Sequence, residues 1–269
     1  MRKIFDRVLL AALVLALIAA LVPMIARWMD YRRGEQDYVQ AEEIAGVPDL
    51  PAIPARETPA TSEPEKAEDR SDEVLAALVE VDLKALQEIN SDVVGWICIP
   101  GTDLSYPLLQ GSENTYYLSH TWQKRESSAG SVFLDYRSSL ADPYSLIYAH
   151  RMSNTTMFGT LKFYDDEAFW AEHPSVYLVT ETAVKRYDIF AAFEASVYSD
   201  VFNLTLPEEE REGFLAWCLE QSVIDTELIP DATEKVICLS TCISSFGEAD
   251  TRWVVHAVLR DEAVITERS

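Results

Sequence analysis

From Val93 onward the chain breaks into short β-rich runs, and this rhythm constrains its fold more than any other feature. The runs are Val93–Ile99, Leu104–Leu109, Ser131–Leu134, Ser145–His150, Val176–Thr180, Lys185–Tyr198, Lys235–Cys242 and Arg252–Leu259. They are rich in β-branched and aromatic residues, which suit a pleated, half-buried surface. Turn signals punctuate them at Pro100-Gly101-Thr102-Asp103, Gly111-Ser112 and Ala141-Asp142-Pro143. About eight strands argue for a barrel or a sandwich. Helical pieces interrupt them at Phe158–Tyr164, Asp166–His173 and Pro207 to about Gln221. The last opens with Pro near its first turn and Glu208, Glu209 and Glu210 at the positive end of the helix dipole. Ahead of the first strand, residues 71–90 predict a helix: Ser71 can cap it, and Val74, Leu75, Leu78, Val81, Leu83, Leu86 and Ile89 supply an apolar face.

The 71–269 part is long enough to bury one core, and the chain before it has a different character. Residues 8–26 carry no charge, with Arg2, Lys3 and Arg7 before them and Arg27, Arg32 and Arg33 after. About 19 residues at about 1.5 Å each just cross a hydrocarbon core. Residues 1–33 therefore read as a short cytoplasmic tail and a transmembrane signal-anchor, which places the rest outside the cytoplasm. The competing reading is a cleaved signal peptide; the length of the run and Arg27-Trp28 at its end favour the anchor. Residues 34–70 are acidic and hold Pro48, Pro51, Pro54, Pro59 and Pro64, so they predict an extended stalk.

The net charge of −23 argues against nucleic acid as a partner, because phosphate contacts need a basic surface. It reads most simply as a solvated surface, and it can also steer a cationic peptide or an amine toward a site. The cysteines are Cys98, Cys218, Cys238 and Cys242. Two disulfides are possible outside the cell, but the spacing suggests neither a disulfide framework nor zinc. No acidic cluster has calcium-site spacing, so no metal or cofactor is expected. Cys98 and Cys238 lie in apolar strand-like runs and Cys218 in a predicted helix, and all three read as buried small hydrophobes.

Cys242 differs, because it ends its run and a turn-like Ile243-Ser244-Ser245-Phe246-Gly247 follows. His150 also ends an apolar run, and Arg252 opens the last one. A thiol, an imidazole and a guanidinium at strand ends can meet at one mouth of a barrel. Together they suit acyl transfer through a thioester, as nucleophile, proton carrier and fixed cation. His120, His173 and His256 lack such placement. Ser240 and Thr241 border the thiol, where one hydroxyl can donate to a bound peptide.

In order along residues 71–260, the chain resembles the class B sortases. The resemblance is carried by Val94-Gly95-Trp96-Ile97 with Pro100-Gly101-Thr102, Asn114-Thr115-Tyr116-Tyr117-Leu118, Ala129 to Arg137, Ile147 to Met152 with Met157-Phe158-Gly159, Leu239 to Cys242, and Arg252. It implies a mainly β fold with added helices: an eight-stranded sortase barrel, an N-terminal helix and a helix between strands six and seven. It also implies a membrane-anchored cysteine transpeptidase of a Gram-positive surface. Such an enzyme cleaves secreted proteins after Thr in a C-terminal sorting motif similar to Asn-Pro-x-Thr followed by Asn, Gly or Ser. It then passes the acyl group to an amine of the cell-wall precursor. Cys242 would be the nucleophile, His150 the general acid and base, and Arg252 the oxyanion or substrate clamp. Asn114 and Leu118 match positions that line the peptide groove, while Asp135 and Tyr136 read as serving the fold.

The chain departs from the pattern after Cys242, where many class B members carry an acidic or aromatic residue soon after the thiol. That leaves the preferred motif open. Pilin polymerisation, with a pilin Lys as the amine, would use the same three residues. A catalytically silent binding module is the non-enzymatic alternative. An L,D-transpeptidase is disfavoured, since its usual His-x-x-x-Ser-x-Gly-Cys run is absent.

Overall fold

The computed structural model describes residues 2–50, 65–242 and 250–265. All eight expected strands are present: β1 (Val93–Cys98), β2 (Ser105–Leu109), β3 (Val132–Leu134), β4 (Tyr144–Tyr148), β5 (Ser175–Val179), β6 (Ala183–Ser196), β7 (Val236–Cys242) and β8 (Thr251–Val264). They close into a barrel in the order β1-β2-β3-β4-β7-β8-β6-β5, with β5 returning to β1. Closure removes the exposed edges that an open sheet of this size would present. The pairs β2–β3 and β4–β7 are parallel, and the rest are antiparallel.

Alternation along β7 divides its side chains between two cores. Ile237 and Leu239 join the main core with Trp96, Phe158, Val255 and Ala257. Val236 and Cys238 face a second core with Leu146, Phe190, Phe193 and Val254. Helix α5 (Glu208–Gln221), inserted between β6 and β7 as the resemblance implied, closes this second core with Phe214, Leu215 and Cys218.

His256 is buried in this second core, stacked on Phe193 with ring centroids 5.3 Å apart. Its Nε2 lies 3.2 Å from the Tyr144 hydroxyl, which itself donates to the Val201 carbonyl, so Nε2 is the donor. Burial pulls its pKa down from 6.5 to about 3. The unfolded chain takes up this proton below 6.5, whereas the native state refuses it until about 3. The stabilisation from His256 is therefore complete above 6.5 and is lost as pH falls across that window. Melting temperature should drop on acidification through this range, and His256→Phe should flatten the drop; an unchanged profile in the variant would clear His256 of the effect.

Helix α1 (Arg2–Ala45) covers the uncharged run and continues past it onto the barrel. Tyr38, Ala41 and Ala45 are buried in the main core. The Tyr38 hydroxyl donates to the Gly130 carbonyl at 2.5 Å and meets Ser131 Oγ at 2.9 Å. Asp37, also buried, receives Thr121 Oγ1 at 3.0 Å and Arg125 Nη1 at 2.7 Å, and its carbonyl takes the Trp122 indole N–H at 2.7 Å. Residues 34–45 are thus a docked helix where composition predicts an extended stalk. The acidic count misleads because Asp37 has partners waiting on the barrel, and the buried positions recur at three- to four-residue spacing. Residues 51–64 of the expected stalk lie outside the described residues.

Leu13, Leu15, Leu17, Val22, Met24 and Ile25 of α1 are exposed. Among the described residues no helix is long and apolar enough to cross a membrane. Several side chains of the 8–26 run, Val8 to Ala12 among them, lie outside those residues.

The helix expected over 71–90 is two helices, α2 (Glu65–Leu78) and α3 (Leu83–Gln87). Ser71 lies inside α2 rather than at its cap. The break falls where Asp82 offers its carboxylate to the Ala85 N–H at 3.1 Å, which starts a new helix. Helix α4 (Glu167–Glu172) is capped in the same way by Asp166, with 2.9 Å to the Ala168 N–H.

Candidate active site

Two neighbouring strands pair two of the expected catalytic residues, and a third strand ends two residues before the other. Cys242 closes β7 directly opposite Arg252 on β8. On the other side of β7, Tyr148 of β4 pairs with Ser240 in parallel register, and the Ala149 N–H reaches the Ser240 carbonyl at 3.4 Å. Extending that register by two residues sets His150 level with Cys242. Arg252 shares strand parity with Val254, which faces the core that α5 covers. Of the four histidines, only His150 stands near these strand ends. His120 stacks on Tyr116, with centroids 4.0 Å apart. His173 is buried against the Pro100 carbonyl, with Nδ1 2.9 Å away. His256 belongs to the second core.

His150 is half-buried, and its Nε2 lies 2.7 Å from the Leu118 carbonyl. A carbonyl only accepts, so Nε2 carries the hydrogen and Nδ1 is the nitrogen that gains or loses a proton. The backbone carbonyl of His150 takes the Phe158 N–H at 3.0 Å. Leu118 ends a 3-10 turn, Tyr116–Leu118, whose carbonyls back onto Gly130. A Cβ at Gly130, where φ is +59°, would come within 2.6 Å of the Tyr117 carbonyl and 2.7 Å of the Leu118 carbonyl. Only glycine lets that turn sit this close to β3.

Arg252 is half-buried, and its Nη1 donates to the Thr251 carbonyl at 2.7 Å, which fixes one edge of the guanidinium plane. Leu118 is 39% exposed and offers an apolar surface beside His150. Ser240 and Thr241 are buried, and neither hydroxyl has a hydrogen-bond partner among the described residues. Asn114 is half-buried and committed at both ends of its amide: Nδ2 donates to Asp135 at 2.9 Å, and Oδ1 accepts the Tyr136 N–H at 3.0 Å. The Leu118 carbonyl and the Asp135 carboxylate are contacts that sequence reasoning did not find. A backbone acceptor leaves no sequence signal. Asp135 does leave one, as a charge closing the apolar run Val132-Phe133-Leu134. The loop Ile243–Phe246, where the chain departs from the class B pattern, lies outside the described residues. Among the described residues no group of three His, Cys, Asp or Glu side chains could hold a metal ion.

Cys98, Cys218 and Cys238 are buried free thiols, as expected for small hydrophobes in two apolar strands and a helix. Burial pushes Cys98 and Cys238 up to about 12, with Glu42 adding to the effect on Cys98, and raises Cys218 further. None of the three offers a thiolate near neutral pH. A thiol reagent should therefore label the folded protein once, at Cys242, and reach the other three only after denaturation; mass spectrometry of labelled peptides would reveal any second native site.

Comparison with known proteins agrees with this architecture. A family model described as Sortase domain matches residues 97–260. Sortase B of Listeria monocytogenes is 32% identical over 181 residues, 66% of this chain and 74% of that protein. The structure of a Staphylococcus aureus sortase B–substrate complex superposes with a TM-score of 0.69 at 22% identity, covering 86% of this chain and 98% of that one. A sortase B complexed with triglycine superposes with a TM-score of 0.60 at 28% identity, covering 66% and 84%. With more than half of its length matched by the family and relatives of one class in both sequence and structure, the chain belongs to the sortases, class B, and is a cysteine transpeptidase.

Proposed function

We propose that this sortase cleaves secreted proteins after Thr in a C-terminal motif of the Asn-Pro-x-Thr-[Asn/Gly/Ser] kind and transfers them to an amine of the peptidoglycan precursor. The residue roles are supported by the pairing of Cys242 with Arg252 and by β4, which ends beside Ser240 two residues before His150. The sulfur of Cys242, as thiolate, attacks the Thr carbonyl carbon and gives a tetrahedral oxyanion beside Arg252. The carbon–nitrogen bond then breaks, and the imidazolium of His150 gives its proton to the leaving amine. The incoming amine attacks the thioester and loses a proton to His150. The carbon–sulfur bond breaks and the thiolate returns. Arg252 holds the oxyanion and stays protonated throughout.

A sortase B captured with substrate and another with triglycine support a peptide donor and an amine acceptor. Among the positions expected to line the peptide groove, exposed Leu118 is the best supported, since the Asn114 amide is committed to Asp135 and Tyr136 and both hydroxyls are buried. Anchoring through residues 8–26, with the barrel on the outer face of the membrane, is part of the same proposal. Its support is the uncharged run with basic flanks and the exposed apolar side chains of α1.

A quenched-fluorophore peptide panel tests this reading on the full chain in detergent, varying the position before Pro and the residue after Thr, with and without added amine. Cysteine-dependent cleavage after Thr with an amine-linked product is expected. Amine-linked product only with a pilin Lys would shift the function to pilin assembly, and no cleavage at all would favour the silent module.

A further inference from the structure

Asp135 follows β3 and is wholly buried. A carboxylate there must be paired or neutralised. Its Oδ1 accepts the Arg137 N–H at 2.9 Å and Arg137 Nε at 3.0 Å. Its Oδ2 accepts Arg137 Nη2 at 2.8 Å, Asn114 Nδ2 at 2.9 Å and the Tyr148 hydroxyl at 3.1 Å. Burial alone would raise its pKa, but the bonds from Arg137, with Asn114 adding to them, more than offset that, and the carboxyl sits below its ordinary range. Arg137 thus satisfies the charge.

Asn114 and Tyr148 do something further, because both lead to His150. Tyr148 is the last residue of β4, two residues before His150. Asn114 stands two residues before the turn that ends in Leu118, whose carbonyl holds the His150 ring. One carboxylate therefore fixes both the backbone that delivers the imidazole and the loop that holds its outer nitrogen. We propose that Asp135 is a positioning residue for His150, acting through Tyr148 on one side and through Asn114 and the Leu118 carbonyl on the other. This rests on His150 being the proton carrier, and it assigns Asn114 to the support of the imidazole rather than to the peptide.

The two roles of Asn114 separate kinetically. A lost peptide contact raises KM with kcat unchanged. A loosened support leaves peptide binding alone and slows the proton transfers. It also weakens the Nε2–H bond to the Leu118 carbonyl, which favours the imidazolium, so the His150 limb of the pH profile moves to lower pH.

The test uses the full chain in detergent, with active enzyme counted by thiol titration. Asn114→Ala, Tyr148→Phe and Asp135→Asn are compared by kcat, KM, pH profile and melting, with His150→Gln as control. We expect kcat to fall about 10-fold in the two single-arm variants and towards 100-fold in Asp135→Asn, with KM unchanged and the limb at lower pH. If Asp135→Asn does not fold, the two single-arm variants carry the test. Unchanged kcat per active site with only a lower melting temperature would reduce Asp135 to a structural role. A raised KM alone in Asn114→Ala would return that residue to the peptide groove. Turnover by His150→Gln would instead overturn the proton-carrier reading, leaving the geometry of Asp135 without a catalytic object.

Discussion

Cys242→Ala should abolish peptide cleavage and transfer, with kcat down by roughly 10⁴ to 10⁶-fold, the scale seen when a covalent nucleophile is removed. No other thiol can stand in. Burial pushes Cys98 and Cys238 up to about 12, and Cys218 lies on the buried face of α5. The substitution sits at the open end of β7, past the last core residues, so far-UV spectrum and melting temperature should match the parent. Full activity in the variant would remove Cys242 from the mechanism and with it the thioester route.

Arg252→Lys keeps the charge and should still lower kcat by about 10² to 10³-fold, the usual effect of a lost oxyanion donor. Arg252 already commits one Nη1 hydrogen to the Thr251 carbonyl, which sets the plane of the guanidinium. A planar guanidinium can present two parallel donors to one oxygen or two. An ammonium is a point charge without a plane, and it cannot both grip that carbonyl and offer a fixed pair of donors. Rates close to the parent in a steady-state assay would mean that Arg252 contributes only charge, or only packing.

The barrel was legible in the sequence because its strands are short, separate and apolar, and turn residues mark their ends. Pro100-Gly101 and Asp142-Pro143 are examples, and β1 and β4 fall beside them. Helix α5 was legible through Pro207 and its three glutamates. The docked end of α1 was not. Asp37 and Gln40 look like solvated stalk residues until Thr121, Arg125 and Gln123 are seen to face them. Burial of a charge depends on partners more than 80 residues away, which local composition cannot report. The same limit applies at the site. Cys242, His150 and Arg252 could be named from strand ends, but the orientation of the imidazole depends on a backbone carbonyl at Leu118 and a carboxylate at Asp135. Ser240 and Thr241 show the converse: hydroxyls that look available beside a thiol lie inside, because alternate positions of a barrel strand packed on both faces are all enclosed.

The continuity of α1 sets an altitude. Gly34, buried against the barrel, stands eight residues beyond the end of the uncharged run at position 26, about 12 Å of helix. With that run in a bilayer, the barrel is mounted on a short post instead of swinging on a leash. In the proposed anchored arrangement, the barrel would not search outward for cargo, and its mouth would keep one inclination to the lipid plane. Capture would then depend on delivery: the proposed client would have to be held close to the same surface, and the proposed acceptor amine offered within the same thin layer. Lengthening the post would raise the enzyme out of that layer while leaving every bond at its site intact.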